Sequence, residues 1–190
     1  MKYRFGQLAF PLRLRIFVAL IIMCIGAGVF ADVREYQVKA AFIHKFTLFT
    51  DYPENAAGAS RRWFRICVPG ENPFGEAFRP VEGKMVHGRP LAIRHLPEET
   101  GWEVLSTCDV VYLQASVPEI HQRKLVDELQ SYPVLTIGEH EDFLHMGGII
   151  RLYKKRSRIV FSVNTVAAKR TGIRFRSQML RIAEDVIYQE

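Results

Sequence analysis

Apolar residues recur at steps of three and four along the segment Val33–Pro53, which reads VREYQVKAAFIHKFTLFTDYP. This spacing predicts an amphipathic helix with one side facing a core. Pro53 ends the predicted helix, because the residue before a proline is displaced from helical geometry. The predicted apolar face comprises Tyr36, Val38, Ala40, Phe42, Ile43, Phe46 and Phe49.

Short apolar runs after Pro53 predict β-strands, since turn residues or helical patterns bound each of them. The predicted strands are Trp63–Val68, Arg89–Leu96, Cys108–Gln114 and Pro133–Gly138. Two helical patterns lie between these strands. Pro73–Val81 predicts a short helix, and the spacing of Ser116 and Glu119 predicts a capping box that opens a longer one. The buried face predicted for the longer helix comprises Ile120, Leu125, Val126 and Leu129.

The C-terminal third begins with two alternating runs, GIIRLY and RIVFSV, which predict a β-hairpin. Asn164 then opens a short helix, and Gly172 stands where a left-handed C-cap is expected. Ser177 opens a last helix, whose predicted inward residues are Met179, Leu180, Ile182, Ala183 and Val186. Strands that alternate with helices predict an α/β fold, a three-layer α/β/α sandwich with a mostly parallel sheet and an antiparallel C-terminal hairpin.

The first 31 residues have the features of a secretory signal peptide. A basic start precedes the apolar run Ile16–Val29, and Val29 and Ala31 suit a cleavage site before Asp32. The alternative is a retained membrane anchor, but the run is shorter than the roughly 17–25 residues that span a bilayer. We therefore expect a signal peptide over residues 1–31, a single α/β domain over residues 32–190, and a periplasmic protein.

Loss of the leader changes the charge of the chain. The whole chain has 26 Lys and Arg against 20 Asp and Glu. The leader removes four basic residues and no acidic ones, so 22 remain against 20. A near-neutral exported domain does not favour nucleic-acid binding. The basic cluster in Arg151–Phe161 therefore predicts either an ordinary solvated hairpin tip or a contact to an acidic partner or anionic lipid headgroups.

Export also bears on the cysteines, because Cys24 would leave with the leader. Cys67 and Cys108 remain, and an even pair in an oxidising compartment is a disulfide candidate. The alternative is two buried thiols.

The sequence contains no G-x-S-x-G, G-x-G-x-x-G or Walker motif. The loop Pro69–Gly75 and the acidic, histidine-containing turn Glu139–His145 are weaker candidates for a ligand and a metal, and both are typical of ordinary turns. The sequence therefore predicts a binding protein rather than an enzyme, with no cofactor and no metal.

Several blocks of the chain resemble the YfiR family of periplasmic proteins. The blocks are YQVKAAFIHKFTLFTDYP, FRICVPGENPFG, VHGRPLAIR, CDVVYL and a long C-terminal block. The C-terminal block contains Gly147-Gly148, Arg158, Phe161, Asn164, Ala167 and the closing LRIA. Tyr52 stands where the family usually has tryptophan. The resemblance covers about Glu35 to Ala183.

The resemblance implies a protein that binds and inhibits the periplasmic domain of an inner-membrane diguanylate cyclase, which restrains cyclic-di-GMP signalling and biofilm formation. It also implies a homodimer and a disulfide between Cys67 and Cys108. The family's second cysteine pair, near the Gly-Gly block, is absent from this sequence. A competing hypothesis is a small-molecule sensor module that feeds a histidine kinase or another membrane receptor.

The resemblance points to the C-terminal block and the first helix as the partner-binding surface. The predicted contacts are Asn164, Lys169, Arg170, Arg174, Phe49 and Tyr52. The basic residues and Asn164 are expected to act as exposed polar contacts, and Phe49 and Tyr52 as anchors. The alternatives are a helix cap for Asn164, core packing for the two aromatic residues, and plain solvation for Lys169 and Arg170.

Overall fold

The structure is a computed structural model that describes residues 34–53 and 61–188. The predicted signal peptide lies outside these described residues. The chain divides into two compact units, Met1–Glu35 and Tyr36–Glu190. Residues 34 and 35 are the described part of the first unit, and the architecture below belongs to the second.

In the second unit the first helix, α1, covers residues 36–48, whereas the predicted segment runs to Pro53. The chain leaves helical geometry early because Thr50–Asp51 forms a short strand, β1, that pairs antiparallel with Arg174–Phe175. Periodicity cannot detect a pairing so distant in sequence. The predicted face is also wrong at Val38, which is 44% exposed, while the neighbouring Lys39 is buried.

Eight strands form the main sheet. They are β2 (Phe64–Pro69), β3 (Met85–Val86), β4 (Arg89–Leu96), β5 (Val110–Leu113), β6 (Leu135–Gly138), β7 (Ile150–Lys155), β8 (Arg158–Asn164) and β10 (Asp185–Ile187). Their order is β10-β8-β7-β6-β5-β2-β4-β3. Strands β4, β2, β5, β6 and β7 run parallel, and β7 pairs antiparallel with β8. The predicted α/β fold, with a mostly parallel sheet and an antiparallel hairpin, is confirmed.

Alternate residues of the central strands enter two separate cores. Phe64, Ile66 and Val68 of β2 pack with α1 in the larger core. Cys67 packs with residues of the helices α2 (Trp102–Leu105) and α3 (Glu119–Leu129) in the smaller core. Since successive side chains of a strand point to opposite faces, helices cover both faces of the sheet.

Helix α3 begins differently from the prediction. Pro118 occupies the N-cap position without a side-chain cap hydrogen bond, so the capping box predicted from Ser116 and Glu119 is wrong. Ile120 was expected to be buried and is 70% exposed. Gln122 is buried in its place and donates a hydrogen bond to the carbonyl of Val117 at 2.8 Å.

The predicted short helix Pro73–Val81 is a series of tight turns instead. Its backbone bonds join residues three apart, such as the amide of Ala77 to the carbonyl of Phe74 at 2.7 Å. Bonds of this kind close single turns and do not propagate an α-helix.

The C-terminal part contains α4 (Thr165–Arg170), β9 (Arg174–Phe175), α5 (Ser177–Leu180) and β10. Gly172, at φ +77°, has the left-handed conformation expected of it. The prediction of one last helix reaching Val186 is wrong, because Asp185–Ile187 pairs with the edge of β8. Ile182, expected to face inward, is 71% exposed. In the described part of the chain, no helix is long and apolar enough to cross a membrane.

Candidate partner-binding site

A disulfide joins Cys67 in β2 to Cys108, which lies two residues before β5. Both residues are buried in the smaller core. The bond links two neighbouring parallel strands beneath α2 and α3, in agreement with the pairing that the family resemblance implied.

The glycines of the turn between β6 and β7 have a steric role. The ring of Phe143 packs so closely on Gly138 and Gly148 that a Cβ at either glycine would overlap it. Gly147, at φ +95°, adopts a conformation that L-residues rarely take. The Gly-Gly pair therefore sets the path of the chain into the β7–β8 hairpin.

A buried ion pair connects α1 to the end of β6. The Nζ of Lys39 lies 2.6 Å from Oε1 of Glu139, and both side chains are largely buried. The hydroxyl of Tyr112 also donates to Glu139. Lys39 lies over the ring of Tyr36, at 4.4 Å from its centroid. The sequence pattern did not predict this cluster, although a lysine within the apolar stripe, four residues before Ile43, was a usable signal.

A second buried pair joins β4 to the start of β5. Nη2 of Arg89 lies 2.6 Å from Oδ1 of Asp109, and the backbone amide of Arg65 donates to Oδ2 at 2.8 Å. The hydroxyl of Tyr52 donates to the backbone carbonyl of Asp109 at 3.1 Å. Burial raises the pKa of Tyr52 well above its ordinary value. Tyr52 is thus held in place by packing and by this hydrogen bond.

The predicted aromatic anchors both pack against the larger core. Phe49 and Tyr52 are partly buried there. This placement matches the core-packing alternative for them, and their contact with a partner stays a prediction.

An open groove of about 1270 Å³ brings three of the predicted contacts together. Its residues come from α4, β9, the end of α5 and the chain after β10. Lys169, Arg170 and Arg174 line it and are exposed. The apolar lining comprises Val166, Ala168, Ile173, Phe175, Leu180 and Tyr188. We call this feature the basic groove.

Asn164 lies at the entrance of α4 rather than among the residues that line the basic groove. Its Oδ1 accepts a hydrogen bond from the amide of Ala167 at 2.9 Å, which is an N-cap. Its Nδ2 donates to the carbonyl of Leu144 at 3.1 Å. Asn164 therefore orients α4, and with it the groove residues, relative to the turn before β7.

The basic groove combines apolar surface with cations at its rim. Arginine and aromatic side chains, such as those of Phe175 and Tyr188 in this groove, are enriched in protein–protein interfaces, and the cations select acidic partners. Within the described ranges, no three His, Cys, Asp or Glu side chains are grouped so that they could hold a metal ion.

An α/β sandwich with an open, basic groove has the features of a protein-binding module. The sequence pattern that defines the YfiR/HmsC-like family matches residues 36–184, and the chain belongs to this family. Membership of this family supports a periplasmic regulatory role.

Two solved structures show some similarity to this chain. A conserved domain protein from Vibrio cholerae O1 biovar El Tor is 13% identical with a TM-score of 0.51, over 65% of this chain and 54% of that protein. The ABC domain in complex with L-Trp from Streptococcus pneumonia is 11% identical with a TM-score of 0.47, over 65% of this chain and 55% of that protein. The chain thus spans about half the length of these structures, and the first likeness shows the fold alone.

Proposed function

We propose that the protein is exported to the periplasm, where it binds and inhibits the sensor domain of an inner-membrane diguanylate cyclase. Inhibition would restrain cyclic-di-GMP synthesis and biofilm formation. The observation that carries the proposal is the family match over residues 36–184. The basic groove supports it as the surface that contacts the sensor domain.

The mechanism follows from the linkage between binding and conformation. A partner shifts the equilibrium of a sensor domain only as far as it binds one conformation more tightly than the other. The rigid frame around the basic groove suits this task, since α4 is capped by Asn164 and β9 is paired with β1. A groove fixed in this way selects one sensor conformation without first having to order itself.

The proposal is tested with the purified periplasmic domains of inner-membrane diguanylate cyclases from the same organism. Binding is measured by calorimetry with wild-type protein and with the Lys169→Glu, Arg170→Glu double variant. We expect a stable complex for the wild type and at least a tenfold weaker one for the variant, because two exposed cations at the rim are reversed.

A matched control reverses two exposed cations elsewhere, with Arg123→Glu and Lys124→Glu on α3. Helix α3 packs in the smaller core, on the other face of the sheet from the larger core to which α4 contributes. This control should bind like the wild type, and cells that carry it should keep low cyclic-di-GMP. Wild-type protein that does not bind the domain, and is instead stabilised against heat by a small molecule alone, would contradict the proposal.

A further inference from the structure

The β7–β8 hairpin ends in a cluster of cations that the proposed function leaves unassigned. Its last paired residues are Lys155 and Arg158, so Arg156 and Ser157 form a two-residue turn. Lys154 and all four of these residues are exposed. We call Lys154–Arg158 the basic tip. The segment Arg151–Phe161 around it contains no acidic residue.

The backbone conformation of the basic tip indicates that its positive charge serves more than solubility. Arg156 has φ +56°, in the left-handed region. Glycine takes this conformation without strain and is the usual residue at such a position of a two-residue hairpin turn. An arginine there keeps a cation at the apex of the hairpin despite the unfavourable backbone conformation.

One acidic residue beside the tip balances part of its charge. Lys155 forms an exposed ion pair with Glu184, whose hydrogen bond raises the pKa of Lys155 and lowers that of Glu184. Both shifts favour the ionised forms of the two groups. With Glu184 set against Lys155, Arg156 and Arg158 still give the tip a net positive charge.

Exposed apolar surface adjoins the basic tip. The amide of Glu184 donates to the carbonyl of Phe161 in β8 at 2.8 Å, which places the turn before β10 beside the hairpin. Two residues before Glu184 is Ile182, which is 71% exposed, and Arg181 next to it is exposed too. Cations next to an exposed aliphatic side chain are typical of proteins that lie on anionic membranes.

We propose that the basic tip, with Arg181 and Ile182, docks the protein on an anionic phospholipid surface. A convex two-residue turn suits a flat array of phosphates, whereas an acidic protein segment would find a more complementary site in the concave basic groove. The inference relies on the proposed function only for its periplasmic location. Arg158 of the tip lies at one end of β8, and the groove residues Thr165 and Val166 follow the other end at Asn164.

The test measures how the purified protein binds to vesicles. Sedimentation is compared for neutral phosphatidylcholine vesicles and for vesicles that contain about 30% phosphatidylglycerol, at low and at high salt. We expect binding to the anionic vesicles that is lost at high salt, because exposed charges are screened. Replacing Lys154, Arg156 and Arg158 by Gln should weaken binding about a hundredfold, since each cation near an anionic surface contributes roughly fivefold.

Two single variants sharpen the test. Arg156→Gly should weaken vesicle binding about fivefold without lowering the thermal midpoint, because it removes one cation and also the backbone strain. Ile182→Ser should weaken binding to anionic vesicles with little change in its salt dependence. The Lys169→Glu, Arg170→Glu groove variant serves as the control and should bind vesicles like the wild type.

The outcomes separate this inference from the proposed function. Equal binding to neutral and anionic vesicles, or vesicle binding unchanged in the triple variant, would overturn the inference. So would loss of affinity for the cyclase sensor domain in the triple variant with vesicle binding intact, since the tip would then serve an acidic protein partner. If vesicle binding behaves as expected and no sensor domain binds, the inference stands and the proposed function fails.

Discussion

At the scale of single residues, the ring of Phe143 defines what the neighbouring positions can hold. Gly148→Ala should lower the free energy of unfolding by about 1–3 kcal/mol, because the added methyl overlaps the ring in a packed core. Urea denaturation measures the change. The φ of Gly148 is not in the left-handed region, so the effect is steric rather than conformational.

The control for this prediction replaces the ring of Phe143 with a smaller side chain. In a Phe143→Leu background, Gly148→Ala should cost clearly less than in the wild type, since the smaller side chain leaves room for the methyl. Equal costs in the two backgrounds would show that the overlap with Phe143 is not the cause.

Asn164 illustrates how a structural role and a binding role are separated at one residue. Asn164→Ala should destabilise the protein by about 1–2 kcal/mol, because it removes the N-cap of α4 and the bond to Leu144. Asn164→Asp keeps the cap acceptor and should cost less in thermal denaturation. If Asn164 also contacts the partner, as the sequence predicts, Asn164→Asp will reduce affinity for the sensor domain by more than its small effect on stability explains.

At the scale of elements, the buried pair of Lys39 and Glu139 holds α1 against the end of β6. Lys39→Met should destabilise the protein by about 3–5 kcal/mol, because it leaves a largely buried carboxylate without its cation. Glu139→Gln should also destabilise the protein, because it leaves the buried ammonium group of Lys39 without its carboxylate.

The double variant tests the coupling between these two residues. Lys39→Met combined with Glu139→Gln should cost less than the sum of the single changes, because no buried charge remains. The carbonyl oxygen of the introduced amide can still accept a hydrogen bond from the hydroxyl of Tyr112, as the carboxylate does in the wild type. Additive costs in equilibrium unfolding would mean that the two residues act independently.

Elements with a recognisable local pattern of apolar residues were predictable from the sequence. Short strands that form only by pairing with residues distant in sequence were not. The apolar runs identified β2, β4, β5 and β6, and alternation identified the β7–β8 hairpin. Among residues 34–53 and 61–188, strands β1 and β9 form a two-stranded sheet of their own, and β10 adds to the edge of β8. Each has two or three residues, too few to show a period of their own. The prediction of a helix for the last segment was wrong for this reason.

The candidate site was predictable only in part, for a related reason. Exposed cations in the C-terminal block indicated Lys169, Arg170 and Arg174, and the fold brings them to one groove. The apolar lining depends on how β9, α5 and Tyr188 converge. Phe49 and Tyr52 are predicted as anchors because aromatic residues are common at interfaces. Aromatic residues are equally common in cores, and both of these pack against the larger core.

At the scale of the whole molecule, the disulfide closes a large loop. Cys67 and Cys108 are 41 residues apart, and their bond should stabilise the protein by roughly 4 kcal/mol in the chain-entropy treatment. Replacing both cysteines by Ala should therefore lower the urea midpoint strongly. Reductant should lower the wild-type midpoint by a similar amount and should leave the Ala variant unchanged. A reductant-sensitive Ala variant would contradict this account.

The pairing of β1 with β9 means that the molecule is complete only when its last quarter is present. Asp51 and Arg176, which form an exposed ion pair next to this pairing, are 125 residues apart. A chain interrupted before Arg174 would lack the strand that fixes the end of α1, along with most of the wall of the basic groove. Unfinished chains would thus leave β1 without its partner strand, and an unpaired strand edge is a template for unwanted association with other chains.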